Sequence, residues 1–403
     1  MRIIHAYNQH RGGGGSDNST RTTIDVLRRH GMEVEVFTRS SEELPRNLQG
    51  RLQAATSVLY APESVREFSS LLDSFKPDVV HVHEIFPLVS PWILPLCSER
   101  GVPVAMTCVD YRMTCPIVTH LSDGQICTKC AGGREYWAIL KNCRENLAES
   151  VTVATYNVLV RKLGLFSKHV SRFIAPSEFT RSWLIEHAGI EPSRITTVSP
   201  VVSIPEDEAD PGCGEYVAYA GRFTPEKGID TLLEAARLCG APIKLARAAN
   251  SLIKMEVPPD VGVVVTRSRE ELAAFFRGAR MLVVPSIWFE AFGLVAAEAM
   301  AYGLPIVASR VGSLSHLVED GVEGLLFEMG NPRDMADKIN FLWNKRDLCR
   351  DLGRAARKKA VTSWTAGHHH QNLKKIYEDL CTRAGIESPN QDVTERVRHY
   401  RTS

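Results

Sequence analysis

A chain of 403 residues, 44% hydrophobic and 24% charged, carries more apolar material than one core accommodates, which predicts two packed domains. Its 48 Lys and Arg balance 47 Asp and Glu to a net charge of +1, so no global field attracts acidic polymers, and a nucleic-acid partner is not expected. No run of about 18 apolar residues predicts a spanning helix. Met1 leads straight into Arg2-Ile3-Ile4-His5 without a basic-then-apolar leader, so the expected address is the cytoplasm or the inner face of its membrane. Ten cysteines in that setting point to reduced thiols and a metal rather than to a disulfide framework.

In chain order, Ile3 to Tyr7 reads as a strand, followed by a glycine run and a helix to about His30. Val34 to Phe37, Asp78 to His83, Val102 to Thr107 and Phe173 to Pro176 complete a first set of strands separated by helix-length segments. That alternation predicts βαβ units and a parallel sheet. Residues 198–214 hold three prolines and no periodicity, which makes them a linker between a first domain, 1–197, and a second, 215–362. The second domain repeats the pattern through Tyr216 to Ala220, Ile243 to Ala246, Val261 to Val265, Met281 to Pro285 and Pro305 to Ala308. A helix over 363–385 is expected to return to the first domain, and 386–403 is a polar tail. His368-His369-His370 on that helix reads as a coincidence of surface residues. The fold class expected is α/β, with two Rossmann-like, doubly wound parallel sheets facing a central cleft, where ligands of such folds bind.

The chemistry concentrates in the second domain. Gly221-Arg222-Phe223-Thr224-Pro225-Glu226-Lys227-Gly228 leaves a strand and leads into a helix, which puts two cations beside a helix N-terminus. Such a turn suits an anion, although solvated basic residues on an ordinary turn have the same sequence. In Glu290-Ala291-Phe292-Gly293-Leu294-Val295-Ala296-Ala297-Glu298, one carboxylate lies in a loop and the other two turns into a helix of small and apolar residues. A buried Glu298 needs a partner, either vicinal hydroxyls such as those of a ribose or an arginine in the core. The amides around Phe292, Gly293 and Leu294 begin the helix and can face a phosphate.

These residues resemble the retaining family-4 glycosyltransferases of the two-Rossmann (GT-B) architecture, whose hallmark is a Glu-x7-Glu similar to Glu290 through Glu298. Gly12 to Gly15, His81-Val82-His83, Phe86 to Pro91 and Ala175 to Glu178 also resemble family landmarks. The resemblance implies that Arg222 and Lys227 hold a diphosphate, that Glu290 contacts the donor sugar as a catalytic residue, and that Glu298 holds the ribose. It implies a retaining transferase moving a sugar from a nucleotide-diphosphate sugar to a glycan or lipid-linked acceptor, by front-face attack in which the leaving diphosphate takes the acceptor proton. No cofactor is expected for catalysis. The alternatives are a sugar-nucleotide epimerase and a catalytically weak sugar-nucleotide-binding subunit. Two departures stand out: Leu245 to Ala249 replaces a glycine-rich stretch, and Val109 occupies a position where the family often has histidine.

On the acceptor side, Gly13, Gly14 and Gly15 allow backbone to approach a ligand, with Ser16 or Asp17 as the helix cap. Asp110 and His120 are candidates for catalytic, acceptor or sugar contacts, and Asp110 is equally a turn cap. Cys115, Cys127, Cys130 and Cys143 form C-x11-C-x2-C-x12-C, which fits a structural zinc site or free thiols in a loop. Residues 134–181 combine eight Lys and Arg against four Glu with interleaved apolar residues. That segment is either a peripheral membrane contact or a core-facing helix with a solvated basic face.

Overall fold

The computed structural model describes residues 1–10, 14–43, 57, 59–249 and 256–385. The first domain is built on β1 (Arg2–Gln9), β2 (Glu33–Ser40), β3 (Val79–Val82), β4 (Val104–Thr107), β7 (Arg172–Ala175) and β8 (Ile195–Thr197), in the order β2-β1-β3-β4-β7-β8. Between β4 and β7 lies a small antiparallel hairpin, β5 (Leu121–Ser122) with β6 (Gln125–Ile126). The second domain holds β9 (Tyr216–Ala220), β10 (Ile243–Ala248), β11 (Val261–Thr266), β12 (Ala279–Val284), β13 (Ile306–Ser309) and β14 (Gly324–Phe327), ordered β11-β10-β9-β12-β13-β14. Every pairing in the two large sheets is parallel.

Parallel sheets carry helices on both faces, so their central strands are apolar throughout instead of alternating. β9 and β12 obey this, being buried along their whole length. The strand order reverses at the centre of each sheet, and the carboxyl ends of the central strands deliver their loops to one edge. Two strands of the large sheets escape the sequence reading, as does the β5–β6 hairpin. β8 and β14 each close one edge of a sheet, and both are too short to show a period.

The helix Ala366–Arg383 packs against the first domain. Leu373, Ile376, Tyr377 and Leu380 share a core with Ile3, Tyr7, Ile24 and Leu27, and each such buried side chain contributes roughly 1.5–3 kcal/mol. His369 corrects the reading of the triple histidine as a surface coincidence. It is buried, its Nδ1 meets the Ser199 carbonyl at 2.8 Å, and its Nε2 meets Thr23 Oγ1 at 3.0 Å. Deeper on the same face, His5 Nδ1 lies 2.9 Å from His83 Nε2, while His81 bridges Tyr377 Oη and Thr107 Oγ1 at 2.6 and 2.7 Å. Burial pushes all three imidazoles down, His83 to about 3, so they stand neutral as a polar plug between sheet and helix.

Candidate active site

The second domain supplies the site's charges from two adjoining strand exits. After β9 the chain turns through Pro225–Lys227 into the helix Ile229–Ala236, pivoting on Gly228 at φ 68°. A Cβ on Gly228 would stand 1.8 Å from the Pro285 carbonyl oxygen, so only glycine allows the β12 exit to lie this close. The Ile287 amide donates to the Glu226 carbonyl at 3.0 Å, which fastens the two loops together. Lys227 Nζ therefore reaches Glu290 Oε1 at 2.6 Å and sits 4.9 Å from the centre of the Trp288 ring.

Glu290 receives two further bonds on the same oxygen, from Ser286 Oγ at 2.7 Å and Trp288 Nε1 at 2.9 Å. Burial alone would push its carboxyl up. The Lys227 ammonium and these two further donors outweigh that penalty and hold it below the usual range, so Glu290 is an ionised group fixed in place. Arg222 differs, with its side chain 61% exposed and, among the described residues, Glu226 as its partner at 3.1 Å. One cation is thus preorganised and the other is free to swing.

The helix Leu294–Ala301 starts at Gly293, at φ 98° and without a side-chain cap, so its first amides remain for an incoming group. Phe292 turns its ring into the core against Trp364, leaving only its backbone toward the cleft. Glu298, on the second turn, forms no hydrogen bond or ion pair within 4.0 Å among the described residues. Burial raises its carboxyl, and Arg269 opposes this only at a distance. Among the described residues no arginine pairs with it in the core.

The first domain closes over this half. Gly14 caps the helix Gly15–Arg29 in extended conformation, and a Cβ on Gly15 would touch the Leu294 side chain at 3.4 Å. Gly13 lies outside the described residues. Phe289 packs among Trp183, Phe179, His120 and Tyr111, with ring centres 4.9 to 6.0 Å apart. Ser177 and Ser313 share a 2.7 Å bond, and the Ala291 carbonyl accepts from Ser177, Thr180 and Ser313 at 2.8 to 3.0 Å. The Phe289-Glu290-Ala291 loop is gripped from both sides.

His120 belongs to this seam and not to the open cleft. It is fully buried, its Nε2 meets Thr114 Oγ1 at 2.8 Å, its Nδ1 meets the Cys127 carbonyl at 2.9 Å, and burial lowers it to about 4. Asp110 does cap a turn, accepting from the Arg112 amide at 2.9 Å, but it also joins a charged cluster. Arg112 reaches Asp110 at 3.3 Å and Glu84 at 2.9 Å, and His10 meets Glu84 at 2.6 Å. Burial raises the Asp110 carboxyl, whereas the hydrogen bond to Glu84 raises His10 against the cost of burial. His10 and Glu84 escaped the sequence reading. Their signal was position, since each lies within two residues of the carboxyl end of a central strand, β1 or β3, at the edge where ligands bind.

The four cysteines converge on one side of this wall. Cys130 and Cys143 share a small core with Ala138 and Ala154, and Cys127 follows the β5–β6 hairpin.

Two parallel Rossmann-like sheets, with charged strand-exit loops meeting between them, define the GT-B class of fold. Residues 14–200 match the family model of the glycosyl transferase 4-like domain and residues 203–359 that of the group 1 glycosyl transferases. It is similar to the uncharacterized glycosyltransferase MJ1178 of Methanocaldococcus jannaschii, 35% identical over 170 residues, or 40% of this chain and 47% of that one. The chain spans about half the length of the curated relatives it matches. The fold is shared with sucrose-phosphate synthase of Thermosynechococcus elongatus at a TM-score of 0.69, with 17% identity over 95% of this chain and 99% of that one. It is also shared with Anabaena Alr3699/HepE, solved with UDP and glucose, at a TM-score of 0.65 and 17% identity over 94% of this chain and all (100%) of that one.

Proposed function

We propose that this chain is a retaining glycosyltransferase that moves a sugar from a nucleotide-diphosphate sugar to a polysaccharide or glycolipid acceptor. The observation that carries the reading is the Lys227–Glu290 pair, fixed at 2.6 Å beside an uncapped helix start and the unpartnered Glu298. Arg222, Lys227 and the amides of Gly293 and Leu294 face the diphosphate, Glu290 the sugar hydroxyls and Glu298 the ribose. As the sugar–phosphate bond breaks, negative charge grows on the diphosphate, and Lys227 shifts toward it from Glu290. Preorganised cations of this kind stabilise the leaving group without a catalytic metal. The diphosphate oxygen takes the proton of the attacking hydroxyl, so Asp110 and the His10–Glu84 pair serve to position the acceptor. Alr3699/HepE, solved with UDP and glucose, supports a nucleotide-sugar donor of that type.

Incubation with nucleotide-diphosphate sugars and measurement of released nucleoside diphosphate tests the proposal. Release with the anomeric configuration preserved in the product supports it. An altered donor sugar without release indicates an epimerase, and tight binding without turnover a binding subunit; either outcome overturns it.

The raised Glu298 carboxyl gives a pH prediction. Ribose hydroxyls donate to the ionised carboxylate, so donor affinity is full above the carboxyl's free-protein pKa and declines as pH falls through it. Glu298→Gln will flatten this dependence. Titrations with donor between pH 4 and 8 check both.

The membrane-facing part of the reading rests on residues 136–163. Leu140, Leu147 and Leu163 are exposed there beside Lys141, Arg144 and Lys162, a pairing suited to an anionic bilayer surface. No helix among the described residues is long and apolar enough to cross a membrane. Cosedimentation with vesicles rich in anionic lipid at low salt is the expected result, and a chain left in the supernatant contradicts it.

A further inference from the structure

We propose that Cys115, Cys127, Cys130 and Cys143 bind one zinc ion that staples the acceptor-side wall of the cleft. Four thiols from three separate turns approach one another here. Cys130 and Cys143 pack in a common core, Cys127 follows the β5–β6 hairpin, Cys130 lies in the next turn, closed by the Ala131 amide on the Thr128 carbonyl, and Cys115 ends the turn from Tyr111. His120 ties Cys115 to Cys127: the Cys127 amide donates to the His120 carbonyl at 2.7 Å, His120 Nδ1 meets the Cys127 carbonyl at 2.9 Å, and its Nε2 meets Oγ1 of Thr114, the neighbour of Cys115, at 2.8 Å. Lys141 stands in the field of Cys127 and Cys143, where it moderates the negative charge of a four-thiolate site.

Four thiols that lose their protons to Zn²⁺ give a site of charge −2, with four protons released to solvent. The sulfurs stop short of the mutual 4.8 Å closeness that His5, His81 and His83 reach, whereas Zn–S bonds of about 2.3 Å bring tetrahedral sulfurs to roughly 3.8 Å. Ion binding therefore draws the three turns together. The histidine group is the poorer competitor, because the His81 nitrogens are both taken by hydroxyls and His5 and His83 bond to each other.

The consequence reaches the cleft. The Cys127 carbonyl orients His120, and His120 and Tyr111 pack against Phe289, so the ion fixes the surface that grips the donor loop.

The test uses the full chain, purified without chelator from zinc-supplemented medium. The proposal expects about one zinc per chain by elemental analysis. Alkylation mapped by mass spectrometry will modify exposed Cys213 at once and spare these four cysteines until the metal is stripped. Cobalt substitution will give intense thiolate-to-metal charge-transfer bands, which a histidine site lacks. Cys127→Ser with Cys130→Ser will lose the metal and Cys213→Ser will keep it. Absence of zinc together with immediate alkylation of all four in the intact chain overturns the proposal even if the double variant misfolds. So does metal retained by a folded double variant, or a cobalt spectrum without charge-transfer bands.

Discussion

Lys227→Ala will reduce turnover about 10²–10³-fold, the loss expected when one preorganised cation is taken from a developing anion in a water-poor site. The effect has two parts. The diphosphate loses its fixed cation, and Glu290, still buried and still bonded to Ser286 and Trp288, is left without its counter-charge. Burial pushes that carboxyl up, and only the Ser286 and Trp288 donors then oppose it, so the activity remaining in the variant will need higher pH than wild type. Lys227→Arg will not restore the rate, because a planar fork cannot replace a compact ammonium between Trp288 and one Glu290 oxygen. Arg222→Ala will cost less, since that side chain is mostly exposed and must be ordered by the ligand. Steady-state kinetics of the three variants check the ranking, and an Arg222 effect larger than that of Lys227 contradicts it.

Gly228→Ala carries the largest expected cost in stability. The added methyl would meet the Pro285 carbonyl at 1.8 Å with the backbone at φ 68°, so both steric overlap and left-handed strain apply. Together they cost about 3 kcal/mol, which lowers the melting temperature of a domain this size by roughly 6–12 °C. Relaxation moves Lys227 away from Glu290, so donor affinity falls along with stability. Gly189→Ala is the control, since that glycine also has positive φ, at 67°, but nothing within 4 Å of its Cβ. A melting curve for Gly228→Ala that matches the control contradicts the claim that close approach, and not φ alone, demands glycine here.

The legible parts of the fold were those with strong local signals. Central strands such as β9 and β12 are continuous apolar runs because both faces are covered, and that pattern survives in sequence. β8 and β14 did not register because an edge strand of three or four residues is held by one neighbour and needs little β propensity. His369 was misread for a related reason. Nothing local distinguishes it from His368, and only the return of the helix onto Thr23 and Ser199 buries it.

Arg222, Lys227, Glu290 and Glu298 stood out in the sequence as candidates because they are charged residues at strand exits or in small and apolar sequence, in a pattern that resembles the family-4 motif. What sequence could not give was their pairing. Lys227 neutralises Glu290 across 63 positions, and Glu298 is the carboxylate left without a partner. His10 and Glu84 come together only because β1 and β3 are neighbours in the sheet, a pairing over 74 positions. With Val109 at the position where a histidine was expected, the half-buried His10–Glu84–Arg112–Asp110 cluster is the polar group next to it in the first domain.

The central claim is that the second domain holds a nucleotide-diphosphate sugar through Lys227, Glu290 and Glu298. Calorimetric titration of the chain with UDP-, GDP- and ADP-sugars tests it most directly. The account predicts one saturable site for at least one donor, weakened at least tenfold in Lys227→Ala and in Glu298→Gln. No binding by any donor, or binding left unchanged by both substitutions, would contradict it.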